Sequence, residues 1–408
     1  MSDFSRELTR LMAERGVGVR QLARAVYVNP GHVSNLRSGR DTPSPELAAA
    51  IDGHLDGGGR LALLAATKAT GTRRGTRVGS SRAVSALRIA MDGAPGGALD
   101  VAGDGLADLA LHYAHVVAVA PSAAVYDELT SARGFAGTLL SRGATAGRAD
   151  LAVTAGWLSS LLAIAATDLG DHAAAVVWCA DAARRGREAG HPELAGWAAL
   201  TRSHIAWYQG DPARSAEAAR RGQDETSLGT VAYVKLAAQE MRCLAMLGDT
   251  AGMTAARRRA AAAAVRLSPA AARNGAYSVQ LADDPPYTAT SLLVTGQHAE
   301  AAAITRQIIA TAYAPAGRAA ADMPTNYGRT LLILALAAAG LGELEEAAAT
   351  GAAALAAGRV VWPTLVLAGR LHKSLTATAA GSVPAADFAA CYAEAGTRYA
   401  LPAAGGGG

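Results

Sequence analysis

The sequence predicts an all-α protein: a small N-terminal helical domain followed by a long array of helix pairs. Three observations carry this. The chain is 51% hydrophobic but only 5% aromatic, because alanine supplies the apolar share, and such small side chains favour closely packed helices over sheets. Between Val19 and Leu55 apolar residues recur at helical spacing, interrupted by capping residues. From residue 169 onward a Gly-centred turn recurs five times between apolar helical stretches.

The N-terminal domain, residues 1–69, reads as five helices. Phe4 to Arg15 (FSRELTRLMAER) is the first. Leu22, Ala23 and Val26 give the second an apolar face. Asn29 caps the third, whose first position takes Pro30 because a missing N–H costs nothing there. Val33 and Leu36 form its buried side and Gly39 ends it. Ser44-Pro45-Glu46 then opens a helix that buries Leu47, Ile51 and Leu55. The polar residues left outward on the third helix are His32, Ser34, Asn35 and Arg37, the layout of a recognition helix held by a small packed core.

Leu22-Ala23, Val33-Ser34-Asn35-Leu36, Gly39-Arg40 and Thr42-Pro43-Ser44-Pro45-Glu46-Leu47 together resemble the helix-turn-helix domain of the phage-repressor (XRE) family of transcription regulators. The resemblance covers roughly the first 65 residues and implies double-stranded DNA as a partner. Two positions depart from the family. Val19 stands where a phosphate-fixing Gln is usual, and Pro30 and Gly31 occupy the first outward places of the recognition helix. Base reading therefore falls on Asn35, with His32 and Ser34 beside it. A bidentate Asn–adenine bond is worth about 1–3 kcal/mol of discrimination. Arg37 and Arg40, with Arg20 on the preceding helix, are expected at phosphates. The alternative is a degenerate domain that packs on the rest of the chain.

Charge follows the same division. Residues 1–90 hold 14 Lys/Arg and 7 Asp/Glu, so +7 lies there and −3 on the remainder, against +4 for the chain. Positive charge thus concentrates where phosphate contact needs it. Arg73, Arg74, Arg77 and Arg82 stand in GTRRGTRVGSSR, whose composition reads as a flexible basic linker over 70–83. Residues 84–149 read as a helical connector with a short helix over 84–91 and a hairpin of 106–119 and 123–140 broken at Pro121.

The turns LGD (169–171), QGD (209–211), LGD (247–249), TGQ (295–297) and LGE (341–343) each separate an apolar helix from an alanine-rich one. Their glycines, Gly170, Gly210, Gly248, Gly296 and Gly342, lie 40, 38, 48 and 46 residues apart. That is a helix pair repeated five times, the mark of a helical solenoid. Five residues after each Gly stand Ala175, Ser215, Met253, Ala301 and Ala347, small except Met253. Over residues 150–357 this pattern resembles the tetratricopeptide repeat, in a version with longer repeats and few of its aromatic positions. Residues 358–401 are expected to cap the array, and 402–408 to form a disordered tail.

Solenoid inner surfaces are built by the first helix of each pair and are the usual binding face. Thirteen, nine and six residues before the turn glycines stand Trp157, Leu161 and Ile164; Trp197, Thr201 and His204; Lys235, Gln239 and Arg242; Asp283, Tyr287 and Thr290; Arg329, Ile333 and Leu336. These offsets share one helical face. Trp197, Thr201, His204 and Tyr208 line one helix, and Lys235, Gln239 and Arg242 the next. Such a groove suits an extended peptide, or a small acidic molecule held by Lys235 and Arg242. The plainer alternative makes Trp157, Trp197 and Tyr208 packing residues and the charges solvated.

Cys179, Cys243 and Cys391 have neither CxxC spacing nor a His partner, so buried thiols of a reducing cytoplasm are expected, with no metal or cofactor. MSDFSRELTR lacks the apolar segment of a signal peptide. Leu151 to Thr167 is uncharged but slightly short for a membrane span. No GxSxG, P-loop, HExxH or paired-carboxylate motif marks an enzyme. Two functional classes remain. One is a cytoplasmic transcription regulator, a homodimer on half-sites about 34–36 Å apart, whose solenoid binds an effector. The other is a protein-interaction scaffold with a degenerate or nonspecific DNA-binding domain. The dimer contact is open between the first domain, the connector and the C-terminal cap.

Overall fold

The computed structural model describes residues 3–26, 30–39, 43, 45–61, 64, 82–92, 98–141, 147–267, 275–279, 284–313, 323–356 and 359–399. Among the described residues every regular element is helical and none is a strand. The chain divides into two compact units, residues 1–79 and 80–408.

The first unit contains α1 (Asp3–Glu14), α2 (Val19–Ala25), α3 (Pro30–Ser38) and α4 (Pro45–His54), and residues 60, 61 and 64 are helical beyond them. Phe4, Leu8, Leu22, Val33, Leu36, Ile51 and Leu55 form one buried core, as their spacing requires. Val26 and Leu47 only lean against it. Gly39, with φ of 76°, closes α3. The buried Asp52 carboxylate accepts the Leu61 N–H at 2.6 Å and fixes the chain beyond α4. The cap expected at Asn29, Ser44, and the linker residues Arg73, Arg74 and Arg77 lie outside the described residues.

The second unit begins with α5 (Arg82–Asp92), α6 (Ala98–Val116) and α7 (Ser122–Ser141). Helix α6 starts eight residues before the sequence pattern suggested, running through Gly103 and Gly105. A Cβ at Gly105 would stand 2.3 Å from Leu87 Cδ2, so this glycine lets α5 approach closely. Five helix pairs follow: α8 (Arg148–Asp168) with α9 (His172–Glu188), α10 (Pro192–Tyr208) with α11 (Pro212–Glu225), α12 (Val231–Met246) with α13 (Thr250–Ala264), α14 (Thr288–Val294) with α15 (His298–Ala312), and α16 (Pro324–Leu341) with α17 (Leu344–Ala356). Helices α18 (Trp362–Thr378) and α19 (Val383–Tyr399) complete the array.

The repeated turn has a local cause. All five turn glycines adopt φ between 75° and 83°, the left-handed conformation that ends helices. The next residue's N–H returns to a carbonyl of the finished helix: Asp171 to Ala166, Asp211 to Ala206 and Asp249 to Leu244, at 2.9, 2.9 and 3.0 Å. Each Asp then caps the following helix, accepting the N–H of Ala174, Arg214 or Gly252. A Cβ at Gly210 or Gly248 would meet nothing within 4 Å, so backbone conformation alone demands glycine there. Ala175, Ser215, Ala301 and Ala347 are wholly buried at the helix crossings, whereas Met253 is half-exposed.

Three features depart from the sequence reading. The connector helices pack into the array: Leu106, Leu129 and Phe135 share one core with Leu158, Leu161 and Trp197. The fourth pair has a first helix of only seven residues, because Pro285-Pro286 prevents it from starting earlier. The C-terminal helices also reach the first pair. Arg359 pairs with Asp168 at 2.8 Å, the Tyr399 hydroxyl donates to the Asp168 carbonyl at 3.0 Å, and the rings of Trp362 and His172 lie 4.0 Å apart. Helix α8 is long and apolar enough to cross a membrane, but 67% of its apolar window is buried inside the protein.

Candidate functional site

On the first unit, Ser34 and Arg37 of α3 are exposed and Asn35 is half-exposed, while Arg20, Gln21 and Arg24 of α2 are exposed beside them. Arg40 and the side chain of His32 lie outside the described residues. Six arginines of this unit differ in their surroundings. Arg10 pairs with Glu7 and Glu14, Arg15 with Asp56, and Arg60 approaches Glu7 at 3.9 Å. Arg20, Arg24 and Arg37 have no carboxylate partner among the described residues. Gln21 and Arg24 flank buried Leu22 and Ala23, a spacing that places them on the outward side of α2.

The second unit encloses a cavity of about 620 Å³. Its walls are built largely by the first helices of the pairs, with Ile164 and Asp168 of α8, Trp197, Thr201, His204 and Tyr208 of α10, Lys235 and Arg242 of α12, Thr290 of α14, and Arg329 and Ile333 of α16, joined by Ile304 and Ile308 of α15. The helical register therefore brings most of the anticipated inner-face residues together. Trp157, Leu161 and Leu336 do not line it, and neither does Gln239. It is wholly buried and turns toward α11, where its Nε2 donates to Ser215 Oγ at 3.0 Å. Ser215 Oγ also meets Ser203 Oγ at 2.9 Å and Cys243 Sγ at 3.0 Å. Gln239 thus belongs to a polar knot at a tight crossing and does not line the cavity. Trp157 is likewise a packing residue, its ring 4.8 Å from that of Tyr277, and Asp283 lies outside the described residues.

Tyr287 reaches the cavity by a different route from the one its spacing implied. It precedes α14 with φ of 66°, a left-handed conformation that costs a bulky residue of order 1–3 kcal/mol. From there its hydroxyl meets His204 Nε2 at 3.1 Å, and its ring covers the Arg242 guanidinium at 4.2 Å. Trp207 faces the same guanidinium at 4.6 Å. The cation is thus in contact with two rings, is 4% exposed, and its Nε has no hydrogen-bond partner. Lys235 Nζ donates to the Ser278 carbonyl at 3.0 Å and stands 5.3 Å from the Trp197 ring centre. Arg329 bonds the Thr325 carbonyl, Asn326 Oδ1 and the Tyr208 hydroxyl, and it feels the Asp168 charge.

The charge balance of this cavity is strongly positive. Lys235, Arg242 and Arg329 have no carboxylate partner among the described residues. Asp168 is paired with Arg359, and Asp284 with Arg257. The electrostatic consequences agree. Burial, with the Arg329 and Arg242 charges adding to it, brings Lys235 down to about 8. Burial and then Arg242, Lys235 and Arg329 hold His204 well below the usual histidine range, so its ring is neutral. Burial raises the Tyr208 phenol, but Arg329 and Arg242 outweigh it and leave it lowered overall. Among the described residues no three of His, Cys, Asp and Glu gather as a metal site. Trp207, Asp168 and Arg359 went unnoticed in the sequence because they lie off the repeated offsets. Arg329 shares the offset of Trp197 and Lys235 and could have been included.

Comparison of the chain with protein-family models, curated proteins and solved structures found no match.

Proposed function

We propose that the chain is a DNA-binding transcription regulator, acting as a homodimer, in which a tetratricopeptide-like array binds an effector and thereby controls operator binding by an XRE-type helix-turn-helix unit. The observation that carries this reading is the division of arginines on the first unit. Arg10, Arg15 and Arg60 are matched by neighbouring carboxylates, while Arg20, Arg24 and Arg37 have none among the described residues. Unpaired arginines on a helix pair are what phosphate contact uses. Asn35, standing among them on α3, supplies the base-reading group. The cavity supports the sensing half, since its volume falls in the range of small-molecule sites.

The test is a mobility-shift titration of the full chain on the DNA upstream of its own coding sequence and on a scrambled fragment, at several salt concentrations. The upstream fragment should bind more tightly. Each phosphate contact contributes about 0.9 to the log–log salt slope, so the triple variant R20A/R24A/R37A should lower it by about 3. An unchanged slope would remove these arginines from the interface. Equal affinity for both fragments would overturn the regulator reading in favour of a protein-interaction scaffold.

A further inference from the structure

The cavity also specifies a kind of ligand. Arg242 is buried and Lys235 and Arg329 are half-buried where they face it, none with a carboxylate ion pair among the described residues, and burying a charge is costly unless something compensates it. The groups in direct contact with them are neutral: a backbone carbonyl for Lys235, aromatic faces and the Tyr208 hydroxyl for Arg242, and a carbonyl, an amide oxygen and the Tyr208 hydroxyl for Arg329. Arg242 is the most constrained of the three. The rings of Trp207 and Tyr287 lie 4.6 and 4.2 Å from its guanidinium carbon, and its buried Nε has no hydrogen-bond partner. A guanidinium fixed in this way offers the planar fork that binds an oxyanion through two parallel hydrogen bonds. The rest of the wall is apolar or aromatic, with Ile164, Leu200, Ile304, Ile308 and Ile333 facing the same space as Trp197.

We propose that this cavity takes a small aromatic dianion, an aryl group bearing a phosphate or two carboxylates, with the oxyanion on the Arg242 fork and the ring against the isoleucine wall. Lys235 and Arg329 supply the second half of the charge match. An extended peptide fits less well, because Gln239, which would bond its backbone, is turned into the core. This deepens the reading of the cavity as the effector site and rests on it.

Binding can be measured without DNA, so its failure is separable from failure of the regulator reading. Full-length protein is titrated by calorimetry at low salt with phenyl phosphate, phthalate, benzoate, inorganic phosphate and benzylamine, and tryptophan fluorescence is followed in parallel because Trp197 and Trp207 line the cavity. Phenyl phosphate or phthalate should bind saturably, with benzoate and inorganic phosphate about tenfold weaker and benzylamine absent. The variant R242Q should lose about tenfold to a hundredfold of this affinity. Should R242Q fail to fold, K235M carries the test: it removes an unneutralised buried cation, so it should melt at or above the wild-type temperature yet bind the dianions more weakly. Dianions binding no better than benzylamine, or unchanged dianion affinity in folded R242Q or K235M, would overturn the proposal.

Discussion

The guanidinium carbon of Arg242 lies 4.2 Å from the ring centre of Tyr287, a residue held in the left-handed backbone region just before α14. The two positions are far apart in sequence, and the contact exists only because Pro285-Pro286 delays the helix and turns the tyrosine back across α12. One strained residue thus does two things. It clamps the cation on the cavity wall, and it gives the neutral His204 a hydroxyl partner.

Replacement of Tyr287 should separate these roles. Tyr287→Phe keeps the ring and loses only the bond to His204, so thermal unfolding should show a loss of about 1 kcal/mol or less. Tyr287→Leu also removes the ring from Arg242 and should cost about 1–2 kcal/mol more. Equal stability of the two variants would show that the ring contributes nothing to holding the cation.

Lys235 imposes a pH signature. Its pKa is about 8 when folded, against an ordinary 10.5. Between those values the unfolded chain keeps a proton that the folded chain has lost, so stability rises with pH across that window. Below pH 8 both states are protonated and the full penalty applies, roughly 3 kcal/mol from the size of the shift. Urea unfolding of Lys235→Met should show higher stability than wild type at neutral pH, with the difference shrinking as pH climbs through 8 toward 10.5. A difference that does not vary with pH would mean that Lys235 is not penalised by burial.

The pair of Asp168 and Arg359 should behave as a buried one. Arg359 is 9% exposed on its side chain, and it also bonds Thr325 and the Ser122 hydroxyl. Asp168→Asn would leave this cation without its carboxylate and should cost about 3–5 kcal/mol in denaturant unfolding. A loss below about 1 kcal/mol, the ceiling for exposed pairs, would contradict the buried assignment.

On the first unit, Asn35→Ala should weaken operator binding by about 1–3 kcal/mol and relax preference at one base pair. Arg37→Ala should instead weaken binding to all sequences alike. Competition shifts with single-base operator variants distinguish the two; an Asn35→Ala protein with unaltered relative preferences would take base reading away from this residue.

Much of this architecture was legible because it follows from local rules. The Gly-Asp turns announce themselves through a left-handed glycine and a capping carboxylate, and the core of the first unit follows from the spacing of Leu22, Val33, Leu36 and Ile51. The inner face was largely legible as well, since the position six residues before a turn glycine selects Ile164, His204, Arg242 and Thr290 of the cavity wall. Periodicity failed where a residue's direction depends on its neighbours. Gln239 shares the helical face of Lys235 in projection, yet the small Ser215 opposite draws its amide into the core. Tyr287 reaches the cavity from outside a helix. Arg359 and Asp168 meet across 191 positions of chain, a contact that no local pattern encodes.

That last contact alters how the array should come apart. In an open stack of repeats each unit touches only its neighbours, so the terminal pair frays first and unfolding spreads inward. Here the last pair is fastened to the first through Asp168, Tyr399 and Trp362, which leaves that pair no free margin from which fraying can begin. Amide exchange in α18 should accordingly be slow and close to that of α8, opening with it in one concerted event. Cutting the fastening, as in Asp168→Asn combined with Tyr399→Phe, should turn that event into a sequence in which α18 and α19 exchange early while α10 and α12 stay protected.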